Sequence, residues 1–217
     1  MRRPVVFLHT GLCVVCGFLF CLLCRTGTAW AAPETVYTID SSGSRMTVYA
    51  YRGGLFGRFG HDHTIAMQTF KGRVRITDGE FVPADMELVV ETASLKTMDK
   101  ISDADRIKIE TTMHQEVLET VRFPEIRFQS ITVVTDGRKT GERTVFIMGM
   151  LTLHGISRPT VIEATVTVTG IVLRAAGTFT LDQRDYGIKP VSVFGGAVKV
   201  KEELKLTFDI MARRGAG

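Results

Sequence analysis

Cysteine and asparagine are the two residue types whose scarcity says most about this chain of 217 residues. Its four cysteines all lie within the first 24 residues, and it has no asparagine. The single tryptophan, Trp30, also lies near the start. If this N-terminal segment is removed, the remainder has no thiol, which excludes a disulfide framework, a cysteine-ligated zinc site and a thiol nucleophile. The lack of asparagine excludes N-glycosylation.

The chain also lacks a concentrated positive charge outside its N-terminus. Its formal net charge is +4, with 27 basic and 23 acidic residues. Three of the basic residues, Arg2, Arg3 and Arg25, lie in the first 31 residues, which contain no acid. Acidic and basic residues are interspersed in the rest of the chain. A nucleic-acid-binding protein needs basic residues clustered on one face, so we expect no nucleic-acid partner.

A long hydrophobic run occurs only at the N-terminus. It extends from Val5 to Cys24, follows Arg2 and Arg3, and precedes small residues at Ala29 and Ala31. This order is typical of a secretory signal peptide with an A-x-A cleavage site. We therefore expect residues 1–31 to be removed and the mature protein to be periplasmic or secreted. The alternative is an uncleaved membrane anchor, because the run is long enough to span a bilayer.

The rest of the chain alternates apolar and polar residues with a period of two, which is typical of half-buried β-strands. The clearest runs are residues 145–153, 164–168 and 204–210, and weaker alternation covers 44–51, 63–77, 86–92, 126–135 and 171–181. Glycine-containing turn signals separate them. Many strands at this spacing predict a β-barrel or β-sandwich, and we expect residues 32–217 to form one domain.

One stretch has helical spacing instead. Ile109, Met113 and Val117 recur every four residues within residues 102–119. Ser102 with Asp105 three positions later resembles a capping box, and Pro124 follows as a stop signal. The sequence therefore predicts a mainly β protein with one helix.

Several short blocks follow one another in the sequence: Tyr37-Thr38-Ile39-Asp40, Ser44, Phe70-Lys71-Gly72, Ser94-Leu95-Lys96-Thr97, residues 123–130, residues 149–159 and Arg184-Asp185-Tyr186-Gly187-Ile188. In this order they resemble the YceI-like family of exported bacterial proteins, and the resemblance covers roughly residues 36–212. It implies an eight-stranded antiparallel, lipocalin-like barrel with one helix. It also implies a non-enzymatic protein that holds a polyisoprenoid or quinone-like lipid in its interior.

A barrel of eight strands is just wide enough for one slim ligand. Aromatic side chains are the natural lining for an apolar chain. The candidate lining residues are Phe56, Phe59, Phe70, Phe128, Phe146, Phe179, Tyr186 and Phe208. Arg184, beside Asp185, is a candidate partner for a charged head group of the ligand. The alternative for Arg184 is a structural ion pair.

A glycine-rich segment, residues 53–63, ends in Gly60-His61-Asp62-His63. It lacks the G-K-[ST] ending of a phosphate-binding loop. On a strand, His61 and His63 would share a face and could bind zinc or copper, with His114 or His154 as a further ligand. The alternative is that Asp62 and the histidines stabilise a turn by local hydrogen bonds.

Three functions remain open at this point. The first is an exported, non-enzymatic lipid carrier. It is non-enzymatic in this hypothesis because the chain has no G-x-S-x-G signature that would indicate a serine hydrolase. The second is a metal-binding protein that uses His61 and His63. The third is a filled barrel that contacts a membrane surface or a membrane redox protein through the glycine-rich segment. The sequence also leaves a homodimer open.

Overall fold

The computed structural model describes residues 34–54, 61–77, 83–136, 141–193, 195 and 197–215. The predicted signal peptide and residues 55–60, which include Phe56 and Phe59, lie outside the described residues. Twelve strands form one antiparallel sheet. They are β1 Glu34–Ile39, β2 Arg45–Gly53, β3 His63–Met67, β4 Phe70–Thr77, β5 Pro83–Glu91, β6 Leu95–Thr97, β7 Glu125–Thr135, β8 Arg143–Leu153, β9 Ile156–Thr169, β10 Val172–Asp182, β11 Ser192–Val193 and β12 Val198–Arg214.

The sheet closes into a barrel because β12 pairs with β10 on one side and with both β1 and β2 on the other. β1 and β2 follow one another along β12, separated by a short 3-10 turn, Ser41–Gly43. The Asp40 side chain caps this turn by accepting hydrogen bonds from the backbone of Ser42 and Gly43. Hydrogen bonds from Ser42 and Arg213 lower the pKa of Asp40 to about 2.

Two further strands are interrupted in the same way. β3 and β4 are separated at Gln68 and Thr69, and β5 and β6 at the turn Thr92–Ser94. Ser94 joins the two interruptions, because its Oγ accepts from the Thr69 amide at 2.9 Å and donates to the Glu91 carbonyl at 2.7 Å. The predicted continuous strand over 63–77 is therefore wrong. With each interrupted pair counted once, and without the two-residue β11, which pairs only with β12 outside the main strand order, the barrel has eight strands, which confirms the predicted fold.

The helix α1, Asp103–Thr112, lies beside β6 and continues as a π-helical turn, Met113–Val117. The predicted cap is present, since Ser102 Oγ accepts from the Asp105 amide. Among the described residues no helix is long and apolar enough to cross a bilayer.

Side chains of α1 form hydrogen bonds with the end of β6 and with the residues that follow it. Arg106 donates to the carbonyls of Thr97 and Asp99 at 2.7 and 2.9 Å. Glu110 Oε1 accepts from the Thr97 amide at 3.0 Å. The helix thus takes the place of a neighbouring strand along this part of the wall.

The strand directions place α1 at one end of the barrel. β2 ends there at Gly53 and β3 begins there at His63, and the β8–β9 turn lies at the same end. We call this end the mouth. At the opposite end the side chains of Tyr37, Ile76 and Ala212 are buried in the core.

Candidate functional site

A cavity of about 1030 Å³ occupies the barrel interior. Its wall consists mainly of aliphatic side chains that point inward because they occupy alternate positions on the strands. On β8 these are Val145, Ile147, Leu151 and Leu153. The cavity is therefore an apolar space, and its lining on β8, β9 and β12 follows the alternation that the sequence predicted.

Two glycines shape this wall. Gly149 and Gly177 occupy inward positions on β8 and β10. A Cβ atom at Gly149 would lie 2.6 Å from the Phe128 ring, and one at Gly177 would lie 2.6 Å from the Phe208 ring. Each would also lie 2.4 Å from a backbone carbonyl oxygen of the next strand. The missing side chains thus leave the space that these two phenylalanine rings occupy.

The helical region forms the cavity wall at the mouth. Ile109, Met113 and Val117, the three residues with the predicted helical spacing, all line the cavity, and so does Leu118. Their spacing therefore places one apolar face of the helical region over the interior.

Three of the predicted lining aromatics, Phe128, Phe179 and Phe208, line the cavity. Phe70 and Tyr186 are buried, but they pack in the core beside the cavity and do not line it. Tyr186 lies in the 3-10 turn after β10, and its hydroxyl is 3.4 Å from Thr160 Oγ1. Both residues were expected to line the interior, so that expectation is corrected.

Phe146 points away from the interior, and its expected role in the lining is wrong. It is 41% exposed, because Val145 and Ile147 on either side of it point inward and strand neighbours face opposite ways. Phe146 was a candidate because it is aromatic, whereas the parity of β8 excludes an inward position.

Arg184 is also outside the cavity. Its side chain is 62% exposed, and its guanidinium donates to both carboxylate oxygens of Asp182. Asp182 caps the turn that contains Arg184 by accepting from its amide. The side-chain hydrogen bond from Arg184 lowers the pKa of Asp182. Arg184 therefore forms the structural ion pair, with Asp182 rather than Asp185, and is not placed to bind a ligand in the cavity.

A histidine–aspartate pair lies where the cavity meets the mouth. His63 Nδ1 is 2.7 Å from Asp99 Oδ2, and Asp99 Oδ1 accepts from the Thr64 amide at 2.9 Å. The two side chains are 22% and 14% exposed, and both line the cavity. Burial raises the pKa of Asp99, but the hydrogen bonds from Thr64 and His63 outweigh burial and hold that pKa below its usual value.

The two histidines of the glycine-rich segment do not lie together on a strand. His63 begins β3, whereas His61 precedes it and is exposed. Asp62 Oδ1 accepts from the Arg52 amide at 2.9 Å, which is the local bond expected in a turn. Among the described residues, which include both histidines, no three His, Cys, Asp or Glu side chains group as a metal site. Zinc or copper binding by His61 and His63 is therefore not supported.

A second histidine–carboxylate pair lies at the β8–β9 turn. His154 and Gly155 both have positive φ, +51° and +74°, as a two-residue type I′ turn requires. His154 Nε2 is 3.2 Å from Glu119 Oε1, and its Nδ1 is 3.3 Å from the Tyr186 carbonyl. The Phe123 ring packs on the imidazole at 4.2 Å between centroids. This pair joins three loops at the mouth and does not line the cavity.

The geometry can be compared with known proteins. The profile of the YceI-like domain matches residues 37–212. The chain belongs to the YceI-like family. Two relatives, each called UPF0312 protein, from Pseudomonas savastanoi pv. phaseolicola and Pseudomonas syringae pv. syringae, are 31% identical over 181 residues. The alignment covers 77% of this chain and 82% of each relative.

Solved structures of other bacterial proteins share the fold. BcnA of Burkholderia cenocepacia has a TM-score of 0.63 at 14% identity, covering 80% of this chain and 98% of BcnA. A polyisoprenoid binding domain from Saccharophagus degradans, implicated in plant cell wall breakdown, has a TM-score of 0.61 at 13% identity, covering 83% of this chain and 99% of that domain. These similarities agree with the YceI-like barrel described above.

Asp99, Gly149 and Gly177 are site residues that sequence reasoning missed. Asp99 is 36 residues from His63, and only the pairing of β3 with β6 brings them together. The sequence did indicate the two glycines, because each takes an inward position of its strand at which the neighbouring inward residues are apolar. A glycine at such a position indicates the close approach of a large side chain.

Proposed function

We propose that this protein is an exported, non-enzymatic YceI-like protein that binds a polyisoprenoid or quinone-like lipid inside its barrel. The apolar cavity of about 1030 Å³ carries the proposal. If a methylene group takes about the 30 Å³ of a water molecule, the cavity has room for on the order of thirty chain carbons. Burial of each such group is worth about 0.8 kcal/mol, so a long chain binds without charged contacts.

The polyisoprenoid binding domain of Saccharophagus degradans supports this ligand class, because it has the same fold. The apolar N-terminal segment supports export to the periplasm or the medium, where a carrier could move a lipid between membranes or hold it in solution. The open interior argues against the filled-barrel alternative.

Native mass spectrometry of the mature protein, purified without detergent or chelator, tests the proposal. We expect an adduct of several hundred daltons that organic solvent removes. The variant Ala175→Phe places a ring in the cavity, because Ala175 lines it. Ala176→Phe is the matched control, because Ala176 is exposed on the outer face.

The adduct should be lost or much reduced in Ala175→Phe and retained in Ala176→Phe. A bare chain in the wild type, or an adduct that both variants retain equally, would contradict lipid binding in the cavity. A metal-sized mass increment would instead support the histidine site.

A further inference from the structure

The interior of the barrel is apolar, but polar side chains line the cavity at the mouth, among them the partly buried pair His63 and Asp99. Another, Gln183, is buried and donates to the Lys201 carbonyl. His63 is the first residue of β3. Ile65 and Met67, which follow with the same parity, line the cavity below it. A chain in the cavity that lies along β3 would therefore have its end at the His63 imidazole.

The hydrogen bonds of Asp99 determine which ring nitrogen of His63 carries the proton. Asp99 is a carboxylate, which only accepts hydrogen bonds. Its Oδ2 lies 2.7 Å from His63 Nδ1, so the hydrogen of a neutral imidazole lies on Nδ1. His63 Nε2 has no hydrogen-bond partner among the described residues and is left with a free lone pair. It is an acceptor and requires a donor.

Asp99 is itself fixed in place. The Thr64 amide donates to its Oδ1 at 2.9 Å, and Arg106 of α1 donates to its backbone carbonyl at 2.9 Å. The partner of His63 is thus held from two sides. Such support orients an imidazole for one specific contact.

The charges around the mouth disfavour an anionic head group. The charged side chains that line the cavity are four carboxylates and two lysines: Asp62, Asp99, Asp105, Glu116, Lys100 and Lys108. A diphosphate placed there would add negative charge to a region that already has an excess of it. An uncharged donor avoids this repulsion.

We propose that His63, oriented by Asp99, binds the head group of the lipid, and that this head group is an uncharged hydroxyl, as in a polyprenol or a quinol. This inference rests on the proposed lipid-binding function. It adds the chemical class of the head group and the direction in which the chain enters, with the hydroxyl at the mouth and the chain along Ile65 and Met67.

The test compares three probes that share one chain: geranylgeraniol, its methyl ether, which cannot donate a hydrogen bond, and its diphosphate. Their affinities are measured by displacement of the fluorescent probe N-phenyl-1-naphthylamine from the mature protein. The wild type should bind the alcohol about tenfold more tightly than the ether, which is the effect of one well-placed hydrogen bond. The diphosphate should bind more weakly than the alcohol.

His63→Phe should bind alcohol and ether with a ratio near one, since it keeps a ring and removes the acceptor. Gln68→Phe, which adds a ring at an exposed residue just after β3 that does not line the cavity, is the matched control and should keep the wild-type ratio.

Asp99→Asn tests the orientation of the imidazole and does not depend on loss of a side chain. The Thr64 amide should keep the amide oxygen of Asn toward itself, so the NH2 group would face His63 Nδ1. His63 would then carry its proton on Nε2 and become a donor. The preference for the alcohol over the ether should disappear or reverse, an effect that a purely structural role of Asp99 would not produce.

The outcomes separate this inference from the proposed function. Equal binding of alcohol and ether by the wild type would overturn the head-group assignment and leave lipid binding intact. Tighter binding of the diphosphate would also overturn it, in favour of an anionic head group at Lys100 and Lys108. Failure of all three probes to bind would overturn both proposals.

Discussion

Two histidine–carboxylate pairs lie at the mouth of the barrel, and they use their ring nitrogens differently. In the pair His63–Asp99, which lines the cavity, only Nδ1 of the ring has a hydrogen-bond partner among the described residues. In the pair His154–Glu119 both nitrogens face acceptors, and the ring lies under Phe123. We therefore call His63–Asp99 the open pair, because one ring nitrogen has no partner in the described part of the chain, and His154–Glu119 the closed pair, because both ring nitrogens lie next to acceptors. Whether a ring nitrogen is left unpaired distinguishes a binding role from a structural role here.

Both residues of the closed pair also have an unfavourable backbone conformation. His154 and Glu119 are the two non-glycine residues with positive φ among those described, at +51° and +44°. This conformation costs an ordinary residue about 1–2 kcal/mol. The side-chain bonds and the ring packing offset that cost at both residues at once. The pair therefore stabilises the junction of the β8–β9 turn with the segment after the helical region.

The largest expected effect comes from removal of the closed pair. His154→Ala should lower the free energy of unfolding by about 2 kcal/mol, because a ring N–H hydrogen bond worth about 1 kcal/mol and the ring contact with Phe123 are lost. His63→Ala should cost about 1 kcal/mol or less, because its pair is partly exposed and makes one bond. Urea unfolding measures both.

His154→Asn is the control for backbone strain, because asparagine tolerates positive φ better than alanine does. It should lose less stability than His154→Ala. If His63→Ala proved as destabilising as His154→Ala, the distinction between the two pairs would be wrong.

A smaller effect is expected from the ring that covers the closed pair. Phe123→Leu should lower the free energy of unfolding by about 1 kcal/mol, because the aromatic contact with His154 is worth roughly 0.5–1.5 kcal/mol. It should leave the relative affinities of the lipid probes unchanged, since Phe123 does not line the cavity. Thermal unfolding and probe displacement measure the two quantities. A changed preference among the probes would mean that the closed pair also acts on the ligand.

The smallest effect is confined to acid pH. The pKa of Asp99 is held below its ordinary value of 3.8, so the ionised group contributes stability above that pH. This contribution is lost as the pH falls from about 3.8 through the folded-state pKa. Asp99→Asn should therefore give a melting temperature that falls less steeply on acidification than that of the wild type. Asp40→Asn, which removes a half-buried carboxyl with a pKa of about 2, provides the comparison at a site far from either histidine. An unchanged acid slope in Asp99→Asn would contradict the contribution of Asp99.

Strand alternation and helical spacing predicted the inward faces of β8, β9 and β12 and the cavity-facing residues of the helical region. These patterns depend on neighbours a few positions apart, which the sequence displays directly. The position of Phe146 was mispredicted because the candidates were chosen as aromatic residues, although the parity of Val145 and Ile147 already excluded an inward position. The His63–Asp99 pair depends on the register of β3 with β6 and on the interruptions at residues 68–69 and 92–94. Nothing local in the sequence marks either of them.

The contact between β6 and α1, which we call the seam, affects how a long molecule can enter the barrel. Along most of the wall, neighbouring strands are joined by ladders of backbone hydrogen bonds, which must separate in sequence before strands part. At the seam the bonds run from the Arg106 and Glu110 side chains to the backbone of Thr97 and Asp99. Side-chain bonds can break and re-form by rotation about single bonds, without loss of any sheet pairing. A long molecule that entered at the seam would therefore have to break a few side-chain bonds and no strand ladder.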